Sequence, residues 1–231
     1  MALHEWINLT GDGNVRGLKY SFGPGTANMM AAKLEDGTWL LVSPSAGSPP
    51  EVLESLTNDG GVSALLAPNG FHHMGQAAWR ARFPQAVSYG PEGGLKRLSG
   101  KAAGIDWRPL SELTAKLPPS TAVFLPEGMK NPDLMVRTTT GAETVWFTGD
   151  LLSNTTDADL SAVPRFIFGL FGGNGGYKLN KIPSMVYLKD KAAFVASVRS
   201  AVEAAPMTLA YPAHGDPVTD DVMAQTRAIL A

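Results

Sequence analysis

The histidines of this 231-residue chain are the side chains best suited to chemistry, because there are only four and three of them lie in two short loops. His72 and His73 are adjacent in a segment of small and polar residues, and His214 stands in the sequence Pro-Ala-His-Gly-Asp. A third loop of this kind contains Asp150, directly after Thr-Gly. Imidazole and carboxylate groups together form ligand sets that bind zinc, iron or manganese in proteins.

Each of these loops follows a short apolar segment that predicts a β-strand. The three segments are Leu65-Leu66-Ala67, Val145-Trp146-Phe147 and Leu209-Ala210-Tyr211. Side chains at the ends of neighbouring strands converge on one rim of a sheet, where open α/β sheets place their sites. We therefore predict a metal site built from His72, His73, Asp150 and His214. The alternatives are a surface histidine pair, a turn aspartate and a loop histidine that hydrogen-bonds its neighbours.

Composition excludes several other kinds of site. The chain has no cysteine, which rules out disulfides, thiolate zinc sites and thiol nucleophiles. The formal net charge is −2, too small to hold nucleic acid by its field. No apolar run approaches the ~18 residues of a membrane-spanning helix, and the first residues lack the pattern of a signal peptide. We expect a soluble, cytoplasmic protein that acts on a small molecule.

Predicted strands and helices alternate along the chain, as they do where helices cover β-sheets. Apolar runs predict strands over 15–22, 27–34, 38–43, 62–67, 86–89, 121–125, 134–139, 143–147 and 207–211. Helical patterns cover 49–56, 74–83, 94–98, 190–204 and 220–230. The length fits a single domain over residues 1–231 of the α/β class.

Four segments of the chain resemble the metallo-β-lactamase superfamily. The segment ALLAPNGFHHMG is similar to the superfamily's metal loop, HxHxDH. The segment VWFTGD is similar to the strand and glycine that lead to the superfamily's bridging aspartate. Its late histidine resembles LAYPAHG, and its opening hairpin resembles ANMMAAKLEDGTWLLVS. The resemblance extends from about residue 15 to the end of the chain. It implies a four-layer αββα sandwich, an α+β arrangement of the α/β class.

The departures from that pattern remove one half of the family's two-metal site. With His72-His73 placed on the family's Asp-His pair, the two preceding histidines fall on Pro68 and Gly70. The family's mid-chain histidine falls on Glu127-Gly128. The resemblance is therefore stronger to a degenerate subfamily with a Pro-Asn-x-x-His-His loop. It implies that His72, His73, Asp150 and His214 hold one zinc, with iron, manganese or no metal as alternatives.

The resemblance implies a hydrolase of a small ester, thioester, lactone or phosphoester, in which a metal-bound water attacks and Asp150 orients the water or takes its proton. A catalytically inactive protein of the same fold that binds a ligand or partner is the alternative, and redox chemistry at a single iron is a third hypothesis.

Further residues are candidates for substrate contacts. Asn69 and Glu127 lie in loops beside the predicted ligands. The segment 165–178 interleaves glycines with aromatics and follows Asp150 in the chain, which suggests a lid over the site. It could equally form an apolar wall, a homodimer contact or a membrane-touching loop. Its candidate residues are Phe168, Phe171, Tyr177 and Lys178.

Overall fold

Two β-sheets form the centre of the protein, as seen in a computed structural model that describes residues 1–170 and 175–231, apart from the side chain of Phe168. Within the described residues the first sheet has seven strands in chain order, of which β1–β4 are antiparallel and β4–β7 parallel. These strands are β1 (Trp6–Asn8), β2 (Val15–Ser21), β3 (Thr26–Lys33), β4 (Trp39–Val42), β5 (Val62–Leu66), β6 (Val87–Gly90) and β7 (Trp107–Pro109).

The second sheet has the strand order β13-β10-β9-β8, with β10 and β13 parallel and the other pairs antiparallel. Its strands are β8 (Thr121–Phe124), β9 (Met135–Thr140), β10 (Glu143–Phe147) and β13 (Leu209–Tyr211). A small antiparallel ribbon of β11 (Leu152–Ser153) and β12 (Lys178–Leu179) follows the loop of Asp150. Every strand predicted from an apolar run is present, with bounds shifted by a few residues.

Eight α-helices accompany the two sheets in the described part of the chain. They are α1 (Pro50–Thr57), α2 (Gln76–Arg82), α3 (Leu95–Lys101), α4 (Leu110–Thr114), α5 (Ala162–Leu170), α6 (Lys181–Tyr187), α7 (Lys191–Ala204) and α8 (Val222–Ile229). Helices α1 and α2 pack on the first sheet, and α6, α7 and α8 on the second. No helix in the described part of the chain is long and apolar enough to cross a membrane.

The main core lies between the sheets, because alternate side chains of a strand point to opposite faces. Leu40 and Val42 of β4 point inward to the cluster that also contains Phe147 and Tyr211 of the second sheet. Trp39 and Leu41 point outward to α1 and α2. The chain is therefore a four-layer αββα sandwich, and this prediction is confirmed. The rim at the ends of β5, β10 and β13 positions the site described next.

Candidate metal centre

Three of the predicted ligands meet at the rim of the sandwich. His72 follows β5, Asp150 follows β10 and His214 follows β13. The Nε2 atoms of His72 and His214 lie 2.9 Å and 3.3 Å from the same oxygen, Oδ1 of Asp150. The three ligand atoms all lie within 4.8 Å of one another. Ligands held at about 2.0–2.1 Å around a tetrahedral zinc ion are about 3.3 Å apart, which matches these separations.

Hydrogen bonds behind the two imidazoles fix the direction in which each ring points. Nδ1 of His214 donates to the backbone carbonyl of Thr26 at 2.8 Å. Nδ1 of His72 lies 2.6 Å from Oγ of Ser43, whose own backbone has a φ of 58°. A left-handed φ is rare for serine and costs conformational energy, so the surrounding structure must hold it. Histidines that bind metals are commonly oriented by such a bond from the opposite ring nitrogen.

The three ligand atoms fit a bound cation, because the lone pair of Nε2 of His214 faces Oδ1 of Asp150. Since Nδ1 of His214 gives its hydrogen to Thr26, a neutral ring presents the lone pair of Nε2 to Oδ1 of Asp150. Two lone pairs at 3.3 Å repel unless a proton or a cation lies between them. Burial opposes the charged form of His214, but the hydrogen bond and charge of Asp150 outweigh burial and raise the pKa of the ring. In a metal-loaded protein the cation takes the place of that proton.

The second carboxylate oxygen of Asp150 is fully engaged elsewhere. Oδ2 accepts a hydrogen bond from the hydroxyl of Tyr187 at 2.6 Å and another from Nδ2 of Asn69 at 3.0 Å. Burial works against ionisation, but the facing imidazoles of His72 and His214 hold the pKa of Asp150 well below its usual value. Asp150 therefore offers one anionic oxygen, Oδ1, to the point where the histidines meet.

A second buried carboxyl, Asp133, shapes the turn that carries Asp150. Its Oδ2 accepts hydrogen bonds from the backbone N–H groups of Asp150 at 2.9 Å and Leu151 at 3.2 Å. Its Oδ1 accepts a hydrogen bond from Nδ2 of Asn69 at 2.8 Å. Burial and the neighbouring Asp150 carboxylate raise the pKa of Asp133 well above its usual value, against the effect of these three donors. Sequence analysis missed Asp133, Tyr187 and Ser43, because none of them belongs to a recognisable motif.

Glycine is required at position 149, and this yields a first prediction. Gly149 has a φ of 66°, and a Cβ atom there would lie 2.7 Å from Oδ2 of Asp133. Gly141 has a similar φ of 58°, but a Cβ atom there would meet nothing within 4 Å. Gly141→Ala should cost about 1 kcal/mol from backbone strain alone. Gly149→Ala should cost about 2 kcal/mol or more in urea unfolding and should also weaken metal binding. Equal losses for the two variants would show that contact with Asp133 has no role.

His73 does not join the other ligands, which corrects the predicted set of four. Among the described residues the cluster of potential ligands contains His72, Asp150 and His214 alone. The ring of His73 has positive neighbours in Arg97 and Lys101, and burial together with these charges lowers its pKa. Adjacent residues in an irregular loop point in different directions, so the sequence pair His-His does not place both rings at one ion.

The other predicted contact residues have varied positions. Asn69 is fully buried and bonds the two carboxyls, so it positions Asp150 and does not line the cleft. Glu127 is exposed, and its backbone N–H donates to Oγ of Ser197, away from the centre. Tyr177 packs against the core outside the second sheet, and Lys178 lies in β12. Glu127, Tyr177 and Lys178 are not part of the described lining of the cleft, and their contact with a substrate stays a prediction.

The remaining lid residues cannot be placed. Phe171 and the side chain of Phe168 lie outside the described residues. The segment 165–178 begins directly after Pro164 of α5, and Pro164 lines the cleft described below. No described residue of 165–178 belongs to the lining of the cleft, and a lid formed by this segment stays a prediction.

A cleft of about 380 Å³ opens above the three ligands. His72, Asp150, His214 and Tyr187 all line it. Its walls are mainly apolar and include Phe22, Met74, Leu160, Pro164, Ile182 and Val186. Such a volume suits a small organic molecule, with the polar groups at one end able to fix its orientation.

Gly70 and Gly128 lie at two positions where the sequence resemblance would place further metal ligands, and both are tightly packed. A Cβ atom at Gly70 would lie 2.8 Å from Cδ of Arg97, whose guanidinium stacks 4.0 Å from the ring centre of Phe71. A Cβ atom at Gly128 would lie 2.1 Å from the carbonyl oxygen of Asp190, and Gly128 has a φ of 72°. Histidine side chains cannot enter at either position without moving backbone or Arg97.

Comparison with solved structures supports the fold. A metallo-β-lactamase from Hirschia baltica matches with a TM-score of 0.62 and 14% identity over 98% of this chain and 97% of that chain. A metallo-β-lactamase from Pseudomonas aeruginosa, solved in its mono-zinc form, matches with a TM-score of 0.63 and 14% identity over 98% and 94% of the two chains. A protein described as a diflavin flavoprotein, from Nostoc, matches with a TM-score of 0.61 and 13% identity over 97% and 93%.

These likenesses establish that the chain has the metallo-β-lactamase fold along almost its whole length. No protein-family model matches the sequence, and the search of curated proteins finds no match. The fold hosts different chemistries in its solved members, so the activity must be argued from the residues of the centre.

Proposed function

We propose that the protein is a mononuclear metal-dependent hydrolase of a small ester, thioester or lactone, with zinc as the metal and iron or manganese as alternatives. The observation that carries the proposal is the convergence of His72 Nε2, His214 Nε2 and Asp150 Oδ1 at the floor of the cleft. Two imidazoles and one carboxylate are a known catalytic zinc set, and three protein ligands leave a position for water or substrate.

The side chains around the centre have distinct roles in this proposal. A bound cation would polarise a carbonyl oxygen and lower the pKa of a water molecule toward ~7. Asp150 acts as a ligand through Oδ1 and not as a general base through Oδ2, because Oδ2 already accepts two hydrogen bonds. Tyr187 and Asn69 hold that carboxylate in a one-oxygen geometry. The apolar walls limit the access of bulk water, which strengthens electrostatic interactions at the floor.

A ligand-binding protein without turnover is the second candidate, and a specific observation favours it. Gly70 and Gly128, where the resemblance would place ligands of a second metal, offer no side-chain ligand and are crowded by Arg97 and by the carbonyl of Asp190. A single cation lacks the partner that would share the attacking oxygen. In that case the cleft binds a small molecule at the metal and releases it unchanged.

The experiment that separates the candidates measures metal content and hydrolysis together. Protein supplemented with zinc should bind about one ion per chain and hydrolyse p-nitrophenyl butyrate. His214→Ala should lower kcat/KM by about 100-fold or more and release the metal, since even indirect partners of a ligand cost 10–100-fold. His73→Ala is the matched control and should retain both properties. Stoichiometric metal without turnover of any ester, thioester or lactone would favour the ligand-binding protein.

A further inference from the structure

The charge pattern of the cleft walls defines the substrate more closely than the metal ligands do. Above the floor, the described walls contain no lysine, arginine or glutamate. Asp150 is the one carboxylate among the described lining residues, and it lies at the floor beside the histidines. A charged group placed along these walls would lose its water without gaining a partner, which is costly.

Most of the lining is apolar, and its polar members Ser153, Thr155 and Asn180 are uncharged. Ile182 and Val186 of α6 and Pro164 of α5 contribute to the lining. On α5 the residues Val163, Phe166, Ile167 and Leu170 follow a spacing of three and four, and their exposed fractions run from 44% to 69%. Apolar surface therefore continues along α5 from Pro164, the residue of this helix that lines the cleft.

We propose that the substrate carries an uncharged aliphatic acyl chain that lies along the α6 wall, with its ester, thioester or lactone carbonyl at the floor. The inference rests on the proposed function for the reacting bond, but the acyl chain is recognised by the walls alone. Acyl groups that end in a carboxylate are disfavoured by the same walls, because they would bring an uncompensated charge among Phe22, Ile182 and Val186.

Binding of neutral amides tests the inference without requiring turnover. In calorimetric titrations of the zinc-supplemented protein, affinity should increase along the series acetamide, butyramide, hexanamide and octanamide, by up to about fourfold per methylene until the cleft is full. Succinamate, which adds a terminal carboxylate to a chain of butyramide length, should bind at least about tenfold more weakly than butyramide. Affinity that does not change with chain length, or tighter binding of succinamate, would overturn the proposal.

Substitutions at two neighbouring residues of α6 test where the acyl chain lies in the cleft. Val186 lines the cleft and is 36% exposed, whereas Met185, next to it on α6, is 66% exposed and outside the described lining. Val186→Lys should weaken octanamide binding by about tenfold or more, because a cation and its water enter the wall. Met185→Lys adds the same charge to the same helix and should leave octanamide affinity unchanged. Equal effects of the two variants would contradict the proposed position.

Hydrolysis of p-nitrophenyl acetate, butyrate and octanoate separates this inference from the proposed function. Increasing kcat/KM along the series supports both. Turnover of the esters without any dependence on chain length overturns the acyl-chain inference and leaves the hydrolase intact. No turnover of any ester, together with the predicted amide series, overturns the hydrolase and leaves a binding site for an apolar chain.

Discussion

Asp150→Asn should reduce bound metal to less than about a tenth of an ion per chain and lower kcat/KM by about 100-fold or more. The variant keeps the shape of the side chain but removes the one anionic charge among the three ligands. The cation would then face two neutral imidazoles and an amide in a buried position, where uncompensated positive charge is strongly unfavourable. Metal analysis after dialysis and the p-nitrophenyl butyrate assay measure the two effects.

The matched control for Asp150→Asn is Asp106→Asn, since Asp106 is 75% exposed and lies far from the ligand cluster in the sequence. It should bind metal and turn over substrate as the unmodified chain does. An Asp150→Asn variant that retains a full equivalent of metal would show that the carboxylate is not a ligand. The orientation of the His72 and His214 rings toward Asp150 would then have a cause other than metal binding.

Asp133→Ala should destabilise the protein by about 3–5 kcal/mol in urea unfolding. The substitution leaves three buried N–H donors, on Asn69, Asp150 and Leu151, without their acceptor. Each unsatisfied buried donor costs about 1–3 kcal/mol, and the small cavity adds to the loss. Metal affinity should fall as well, because the turn that carries Asp150 loses its anchor.

Asp133→Asn distinguishes the lost hydrogen bonds from the lost volume. It keeps one acceptor oxygen and nearly the same shape, so its loss of stability should be smaller than that of Asp133→Ala. Asp106→Ala provides the exposed reference and should change stability by less than about 0.5 kcal/mol. If Asp133→Ala costs less than about 1 kcal/mol, water replaces the carboxyl and the turn does not depend on it.

The sandwich could be predicted from the sequence because its strands are strongly apolar and its hairpins have clear turns. The run Trp39–Val42 is fully buried on both faces, and the turn at Gly141 follows the predicted Thr-Gly-Ala sequence. Short edge strands were missed, since Trp6–Asn8 and Trp107–Pro109 have only three residues and no alternation to detect. Helix α6 was missed because it has only seven residues and contains Pro183, a residue type that argues against a helix.

The ligands of the centre could be predicted in part, and the supporting residues could not. His72, Asp150 and His214 each follow a recognisable strand, so strand ends indicated their convergence. Tyr187 reaches Asp150 from 37 residues along the chain, and no local pattern reveals that contact. The error at His73 has a local cause, because sequence adjacency does not determine the direction of side chains in an irregular loop.

Metal-edge anomalous diffraction from crystals of zinc-supplemented protein tests the central claim most directly. The account predicts one strong anomalous peak, within bonding distance of Nε2 of His72, Nε2 of His214 and Oδ1 of Asp150, with Oδ2 still bonded to Tyr187. A peak bound instead by His73, or fully loaded crystals without a peak between these three atoms, would contradict it.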